Sequence, residues 1–325
     1  MEVTIPFFWS PDPQFGHRPY CFRGGKKMSA VNMETSRYTW GADEHLVVQL
    51  SQSMSLRANF QAMAIGSDLK SQKIEGITDI YPGNASFLVR FNPDEIDPYE
   101  VEKLVRAAEL RLTDGAVRGF DTRICEVPVW YNDPYTNETG SRFRDLHQTP
   151  DLTDLEFAAA QNNLPSVEAF IEAHSSAPWI TSMLGFVAGL PWFFQMVPQE
   201  RQLQVPKYVR PRTDTPKQTV GHGGSFSAIY SVRGAGGYQM FGITPVPTYD
   251  PEKKLPEFAE SIIYFKPGDI VKFRAIDEPE FRAIEAAVEA RTYRYKQAPV
   301  SFVLEEYEAS PELYNEKLIG ALNAS

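Results

Sequence analysis

A chain of 325 residues with 42% hydrophobic and 23% charged side chains has the make-up of a globular protein and room for two cores. Its net charge of -10 and isoelectric point near 5.1 argue against a nucleic-acid partner, because neutralising phosphates takes a basic footprint. No apolar run approaches the roughly eighteen residues of a membrane span, and the start M-E-V-T-I-P-F-F-W-S lacks a basic-then-apolar leader, so the expected location is the cytoplasm, away from membranes.

Residues 1–37 hold many prolines, glycines and aromatic rings without helical or alternating period, and read as an N-terminal arm that packs on a neighbour. His45 to Leu50 reads as a strand, and Ser55 caps a helix whose Leu56, Phe60 and Met63 share a face. Gly76 to Tyr81 and Ser86 to Phe91 are predicted strands around the turn Pro82-Gly83-Asn84. Asp97-Pro98 opens a helix with Val101, Leu104, Val105 and Ala108 on one side. Residues 38–120 are thus expected to form a small α+β domain of split βαβ type, without a concentration of titratable groups.

A strand is predicted from Thr122 to Tyr131, then helices from Thr153 to Gln161 and from Ser166 to His174, the second stopped by Pro178. Ile180 to Val187, Phe226 to Val232, Tyr238 to Thr244, Phe241 to Tyr249, Ser261 to Phe265 and Ile270 to Ala275 supply strands with glycine turns, as in a barrel or sandwich. Residues 121–276 form the second expected domain. In the segment 277–325, a helix from Glu278 to Ala290, a strand from Pro299 to Leu304 and a helix from Ser310 to Leu322 are expected to form a C-terminal extension that is largely a helical appendage.

The densest chemistry lies between Lys207 and Pro247, with glycines at 221, 223, 224, 234, 236 and 237. Glycine lets backbone approach a ligand or another strand closely, and here it suggests two strands joined by a glycine turn. Arg210, Arg212, Lys217 and His222 are expected to gather at one end of that sheet as a pocket for a carboxylate, carbamate or phosphate. Glycine-rich turns without any pocket are common in β domains, and G-H-G-G lacks the spacing of a phosphate loop. His174 closes a helix, where spacing alone favours a meeting with the helix dipole over a pocket. Cys21 and Cys125 have no C-x-x-C spacing and the five histidines no H-x-x-x-H pair, so no disulfide framework and no metal site are expected.

Five motifs in order resemble one family: H-S-S-A-P-W-I-T-S-M-L-G-F-V-A-G-L-P, P-R-T-D-T-P, V-G-H-G-G, G-A-G-G-Y-Q-M-F-G-I-T-P and F-K-P-G-D-I-V-K-F. They are similar to the allophanate hydrolase subunit 1 family. It includes the B-subunit of 5-oxoprolinase, the sporulation-kinase inhibitor KipI and half of the carboxyltransferase region of urea carboxylase. The resemblance covers about Tyr38 to Ile276. It implies a cyclophilin-like β-barrel after the small α+β domain, and an active site shared with a partner, the homologue of allophanate hydrolase subunit 2. Tyr238-Gln239 and the ending P-V-S-F-V-L-E-E-Y look more like urea carboxylase than like 5-oxoprolinase.

On that resemblance the chain is expected to be one subunit of a biotin-dependent carboxyltransferase. Biotin would be carried on another polypeptide, with a biotin carboxylase and a biotin carrier protein as partners and ATP used by a partner subunit. Arg212 and Lys217 would hold the carboxylate and His222 would move the proton. Gly223 and Gly237 would offer backbone amides, with His174, Ser176, Tyr238 and Gln239 around a small amide or guanidine-type acceptor. The alternatives are the B-subunit of an ATP-dependent lactam hydrolase like 5-oxoprolinase, and a regulatory binding protein like the kinase inhibitor.

Overall fold

Alternating burial along Leu46, Val48, Phe87, Val89 and Phe91 forces a sheet with one dry face, and the helices that follow supply its cover. The structure, a computed structural model, describes residues 36–113 and 119–325. Residues 1–35 of the predicted arm lie outside them. The first strands are β1 (Arg37–Gly41) and β2 (His45–Gln49), followed by helix α1 (Leu56–Ser71), β3 (Ile77–Gly83), β4 (Ser86–Phe91) and α2 (Pro98–Thr113). The sheet order is β1-β2-β4-β3, with β4 antiparallel to both β2 and β3. Ser55 caps α1 by accepting from the Ala58 amide at 3.1 Å, and α1 buries Ala62, Ile65 and Leu69 against the sheet.

A second, larger sheet starts with β5 (Gly119–Tyr131). After helices α3 (Pro134–Arg142), α4 (Asp154–Gln161) and α5 (Val167–Ser176) come β6 (Trp179–Leu184), β7 (Pro191–Gln195), β8 (Arg212–Thr215), β9 (Thr219–Gly223), β10 (Phe226–Ile229), β11 (Gly234–Gly236), β12 (Gln239–Ile243) and β13 (Ile270–Ala275). Helix α6 (Glu278–Glu289), strand β14 (Gln297–Val303) and helices α7 (Leu304–Ala309) and α8 (Pro311–Asn323) complete the chain. The strands run β12-β9-β10-β7-β6-β13-β5-β14, and β12 also pairs with β5, so the sheet closes on itself through Gly242 opposite Tyr131. At position 242 a Cβ would stand 2.4 Å from the Trp130 carbonyl oxygen, which is why glycine sits at the closure. Among the described residues no helix is long and apolar enough to cross a membrane.

Several predicted strands take other bounds. The strands expected at Phe226 and Tyr238 do not pair with each other: β10 forms a tight hairpin with β9, β12 pairs with the other edge of β9, and β11 pairs with β8 in a small separate ladder. The strand expected from Ile180 ends at Leu184, where Gly185 and Phe186, the latter with φ 76°, turn the chain. Phe241 to Tyr249 keeps ladder pairing only to Ile243, since Pro245 and Pro247 lack the amides a ladder needs, and Ser261 to Phe265 contributes a single bridge, Tyr249 to Ile263. Within 277–325, β14 is an integral strand paired with β5 from Gln297 opposite Cys125 to Val303 opposite Gly119.

The two sheets meet through a polar cluster of Asn59, Asn84 and Ser182 and an apolar cluster around Phe60. Asn59 of α1 donates from Nδ2 to the Asn84 carbonyl at 2.6 Å and to the Ser182 carbonyl of β6 at 3.0 Å. Beside it Phe60 stacks on Phe302 of β14 with centroids 4.8 Å apart, and Tyr314 of α8 meets the same ring at 5.2 Å. Phe302 is fully buried, so Phe302→Ala is expected to lower stability by about 3–5 kcal/mol in urea unfolding. A loss under about 1 kcal/mol would show that the junction adds little.

Inside the closed sheet lie His174 and His222, both fully buried, with ring centroids 6.2 Å apart. Ser227 donates to the Gly221 carbonyl at 3.1 Å, so it accepts from His174 Nε2 at 3.0 Å. His174 Nδ1 then accepts from the Tyr131 hydroxyl at 2.8 Å. His222 Nε2 donates to the carbonyls of Gly224 at 3.0 Å and Leu203 at 3.2 Å. Burial pushes His222 down from 6.5 to about 4, and burial together with the neighbouring His222 holds His174 well below 6.5. Above pH 6.5 both histidines are neutral in the folded and the unfolded chain; below it the unfolded histidines take up protons that the folded ones refuse. Stability should therefore fall between pH 6.5 and about 4 by about 1.4 kcal/mol per pH unit for each histidine. A His222→Gln variant should lose stability less steeply over that window, and parallel curves would refute the assignment.

Candidate functional site

Where the chain leaves β10 and passes through β11 to β12, aromatic rings and glycines enclose a cavity of about 440 Å³. Its walls are Trp192 of β7, Ala228 of β10, Tyr230 just beyond it, and the run Ala235, Gly236, Gly237 and Tyr238. Lys207 and Pro211 close one side, Leu190 another, and Phe186 from the turn after β6 stands at the rim, 66% exposed. Two glycines make the rings fit. A Cβ on Gly223 would lie 2.4 Å from Tyr238 Cδ1, and one on Gly236 would lie 2.5 Å from the Tyr230 hydroxyl. Each tyrosine ring therefore lies against bare backbone, and β-carbons at these positions would drive the rings into the cavity.

Trp192 and Tyr238 meet edge to face with centroids 5.6 Å apart. Lys207 Nζ sits 5.1 Å from the Tyr238 ring and 5.9 Å from the Trp192 ring, a cation over two electron-rich faces. Lys207 is exposed as a whole, but the part of it against those rings is withdrawn from water, and this partial burial lowers its pKa. The buried Tyr238 hydroxyl and Trp192 Nε1 have no hydrogen-bond partner among the described residues, and burial pushes the Tyr238 phenol up, so it stays protonated. The result is an apolar slot, walled by flat rings, with a cation at its edge. Such a slot suits a flat ring or hydrocarbon group that carries negative charge at one end.

Of the residues singled out from sequence, Tyr238 and Gly237 line this cavity and Gly223 supports it from behind. The rest are spread around it. Arg212 is fully buried behind the wall, its guanidinium 4.4 Å from the Tyr208 ring. Lys217 lines a different cavity of about 670 Å³, together with Arg233, Asp250 and Arg291. Arg210 is exposed. His222 and His174 face the interior of the closed sheet, and Ser176, two residues beyond His174, is exposed to solvent. Gln239 is buried and occupied: its Oε1 accepts from His147 Nε2 at 3.0 Å and its Nε2 donates to the Pro206 carbonyl at 2.9 Å.

The expected gathering of Arg210, Arg212, Lys217 and His222 at one rim does not form. The reason lies in the ladders: β8 pairs with β11 outside the closed sheet, whereas β9 belongs to that sheet and sends His222 into its interior. On β8, Asp214 takes Arg233 at 2.7 Å and Arg142 at 3.0 Å, and the Arg233 pairing in first place lowers its pKa to about 2. Sequence reading missed Lys207, Trp192, Tyr230 and Phe186. Lys207 and Tyr230 stand inside the glycine-rich stretch itself, but only folding reveals that they face one space. Among the described residues no group of three or more His, Cys, Asp or Glu is placed to hold a metal ion.

Comparison with known proteins fits this architecture. Residues 36–259 match the family model of the carboxyltransferase domain, subdomain C and D. The chain is similar to the B-subunit of 5-oxoprolinase from Bacillus subtilis, with 26% identity over 251 residues that cover 74% of this chain and 93% of the relative. It is also similar to urea amidolyase of Saccharomyces cerevisiae, 24% identical over 276 residues, or 83% of this chain and 15% of that protein. Among solved structures, the K. lactis urea amidolyase superposes with a TM-score of 0.76 at 19% identity, covering 92% of this chain and 18% of its own, a likeness of fold. Since the family match takes in well over half of its length, the chain belongs to the carboxyltransferase domain family, subdomain C and D.

Proposed function

We propose that this chain is one part of a biotin-dependent carboxyltransferase that moves a carboxyl group onto an amide or guanidine-type nitrogen. The observation that carries the reading is the reach of the fold likeness. A superposition covering 92% of the chain runs into the segment 277–325, where β14 and α8 are built into the junction and not appended to it. The aromatic slot supports it too: flat walls of Trp192, Tyr230 and Tyr238 fit a planar ureido ring, and the low polar content of the walls fits its hydrocarbon chain.

Carboxybiotin, carried on another polypeptide, would supply an activated carboxyl group when bound. The rings of Trp192 and Tyr238 would then orient it and exclude water, and the Lys207 ammonium would face the carboxylate. His222, fully buried with its Nε2 donating to the carbonyls of Gly224 and Leu203, is not placed to move a proton at the slot, so in this reading Lys207 acts as the cation that holds the carboxylate. The rim, with Phe186 and Val209 66% and 70% exposed, would be completed by a homologue of allophanate hydrolase subunit 2. Biotin carboxylase and carrier modules, and the use of ATP, would reside in other polypeptides.

A second reading is favoured by length. The chain spans 93% of the 5-oxoprolinase B-subunit and 15% of urea amidolyase, as a component of an ATP-dependent lactam hydrolase would. Recovering the complex from its native source and probing with streptavidin separates the two. A biotinylated companion with bicarbonate-dependent ATP hydrolysis supports carboxyl transfer; a biotin-free complex that cleaves 5-oxoproline overturns it. In the active complex, Gly223→Ala is expected to lower turnover about a hundredfold through a displaced Tyr238, with the thermal midpoint little changed. Turnover within twofold of the native complex would remove the slot from the reaction.

A further inference from the structure

Arg212 is fully buried, yet only one of its three guanidinium nitrogens has an acceptor: Nη2 donates to Thr215 Oγ1 at 3.3 Å, while Nε and Nη1 have no partner among the described residues. Buried cations are normally met by a carboxylate, since an unpaired one keeps the full cost of leaving water. The nearby carboxylate is already engaged. Asp154 Oδ1 accepts from Tyr208 at 2.7 Å and Arg144 at 3.0 Å, and its Oδ2 accepts from the Met240 amide at 2.8 Å.

The second observation lies at Tyr230. Its hydroxyl accepts from the Tyr238 amide at 3.4 Å, and no acceptor for its own proton is found among the described residues. Arg212 sits beside it, its charge and the approach of its N–H groups to the phenol oxygen both opposing the effect of burial, and Arg212 lies opposite Gly236 in the β8–β11 ladder. Gly236 and Tyr230 are both walls of the aromatic slot. The phenol thus stands in the wall of the slot with the Arg212 guanidinium directly behind it, and the acceptor that these two donors imply is negatively charged.

We propose that Arg212 and Tyr230 form an oxyanion site at the inner end of the slot, taking a small planar carboxylate-type group that enters along the rings. The proposal rests on the reading of the slot as a binding site and does not depend on which reaction it serves. A planar fork of N–H donors matches a carboxylate better than a tetrahedral anion, and the phenol adds a third donor.

The test is thermal unfolding of the full chain in sodium formate against sodium chloride and sodium phosphate at equal ionic strength. A group that binds only the folded chain raises its midpoint with concentration. Formate should raise it saturably by a few degrees more than chloride and more than phosphate. Arg212→Met should abolish the formate response while raising or holding the midpoint without formate, since a buried unpaired charge is replaced by an apolar side chain. Tyr230→Phe should weaken the response, and it carries the test if Arg212→Met does not fold. Equal midpoints in formate and chloride, a phosphate response exceeding that of formate, or a full response in either variant overturns the oxyanion site. None of these outcomes bears on whether the native complex contains biotin, so failure here and failure of the carboxyl-transfer reading are told apart.

Discussion

One extended strand carries the geometry of this molecule. Over 13 residues β5 pairs in parallel with β13 on one edge, while its other edge is divided between β14 near its start and β12 at its end. Its faces are covered by two different cores, Ile124 packing with Phe60 and Phe302 and Cys125, Val127 and Val129 packing inside the closed sheet, and all four are without exposure. This cover also explains the inert thiol of Cys125, which burial raises to about 12. Closure at Gly242 fixes where β12 ends and therefore where Tyr238, one residue before its start, is held.

The slot follows from that closure. Gly223 at the end of β9 and Gly236 in β11 are spaced so that two tyrosine rings rest on backbone, and Lys207 lies across one of them. Charge is distributed on the same logic of faces. Interior-facing polar groups, His174, His222 and Gln239, are held by fixed partners, whereas the unpartnered donors of Tyr238 and Trp192 line the slot and those of Arg212 lie behind its wall. In a fold that satisfies most of its buried donors, the places where it does not are where a ligand is expected.

Much of the small sheet was legible in the sequence because its signals are local. Alternation in His45–Gln49 and Ser86–Phe91, a serine cap before Leu56 and a proline opening α2 each act within a few residues. The large sheet was legible as a set of strands but not as an order. Nothing in Phe226–Ile229 and Gln239–Ile243 says that Thr219–Gly223 lies between them, because pairing order is set by long-range closure and not by turn residues. The same limit applied to the site. Glycine density marked the stretch that supplies most of the slot's walls, yet it favoured the charged side chains, and the split into two ladders sent those to different places. Tyr230 and Trp192, with no charge to draw notice, form the walls.

The position of β14 has a consequence for how the polypeptide is made. The closed ring of strands is complete in sequence at Ala275, but the outer edge of β5 from Gly119 to Cys125 finds its partner only when Gln297–Val303 has left the ribosome. Until then a row of backbone donors and acceptors stays open, with Phe60 and Phe120 unshielded by Phe302. At roughly 5–20 residues per second the interval lasts a few seconds, long compared with collapse of the ring. Strand β14 thus acts as a late seal, and a ribosome that stalls before residue 303 releases a chain with an adhesive edge.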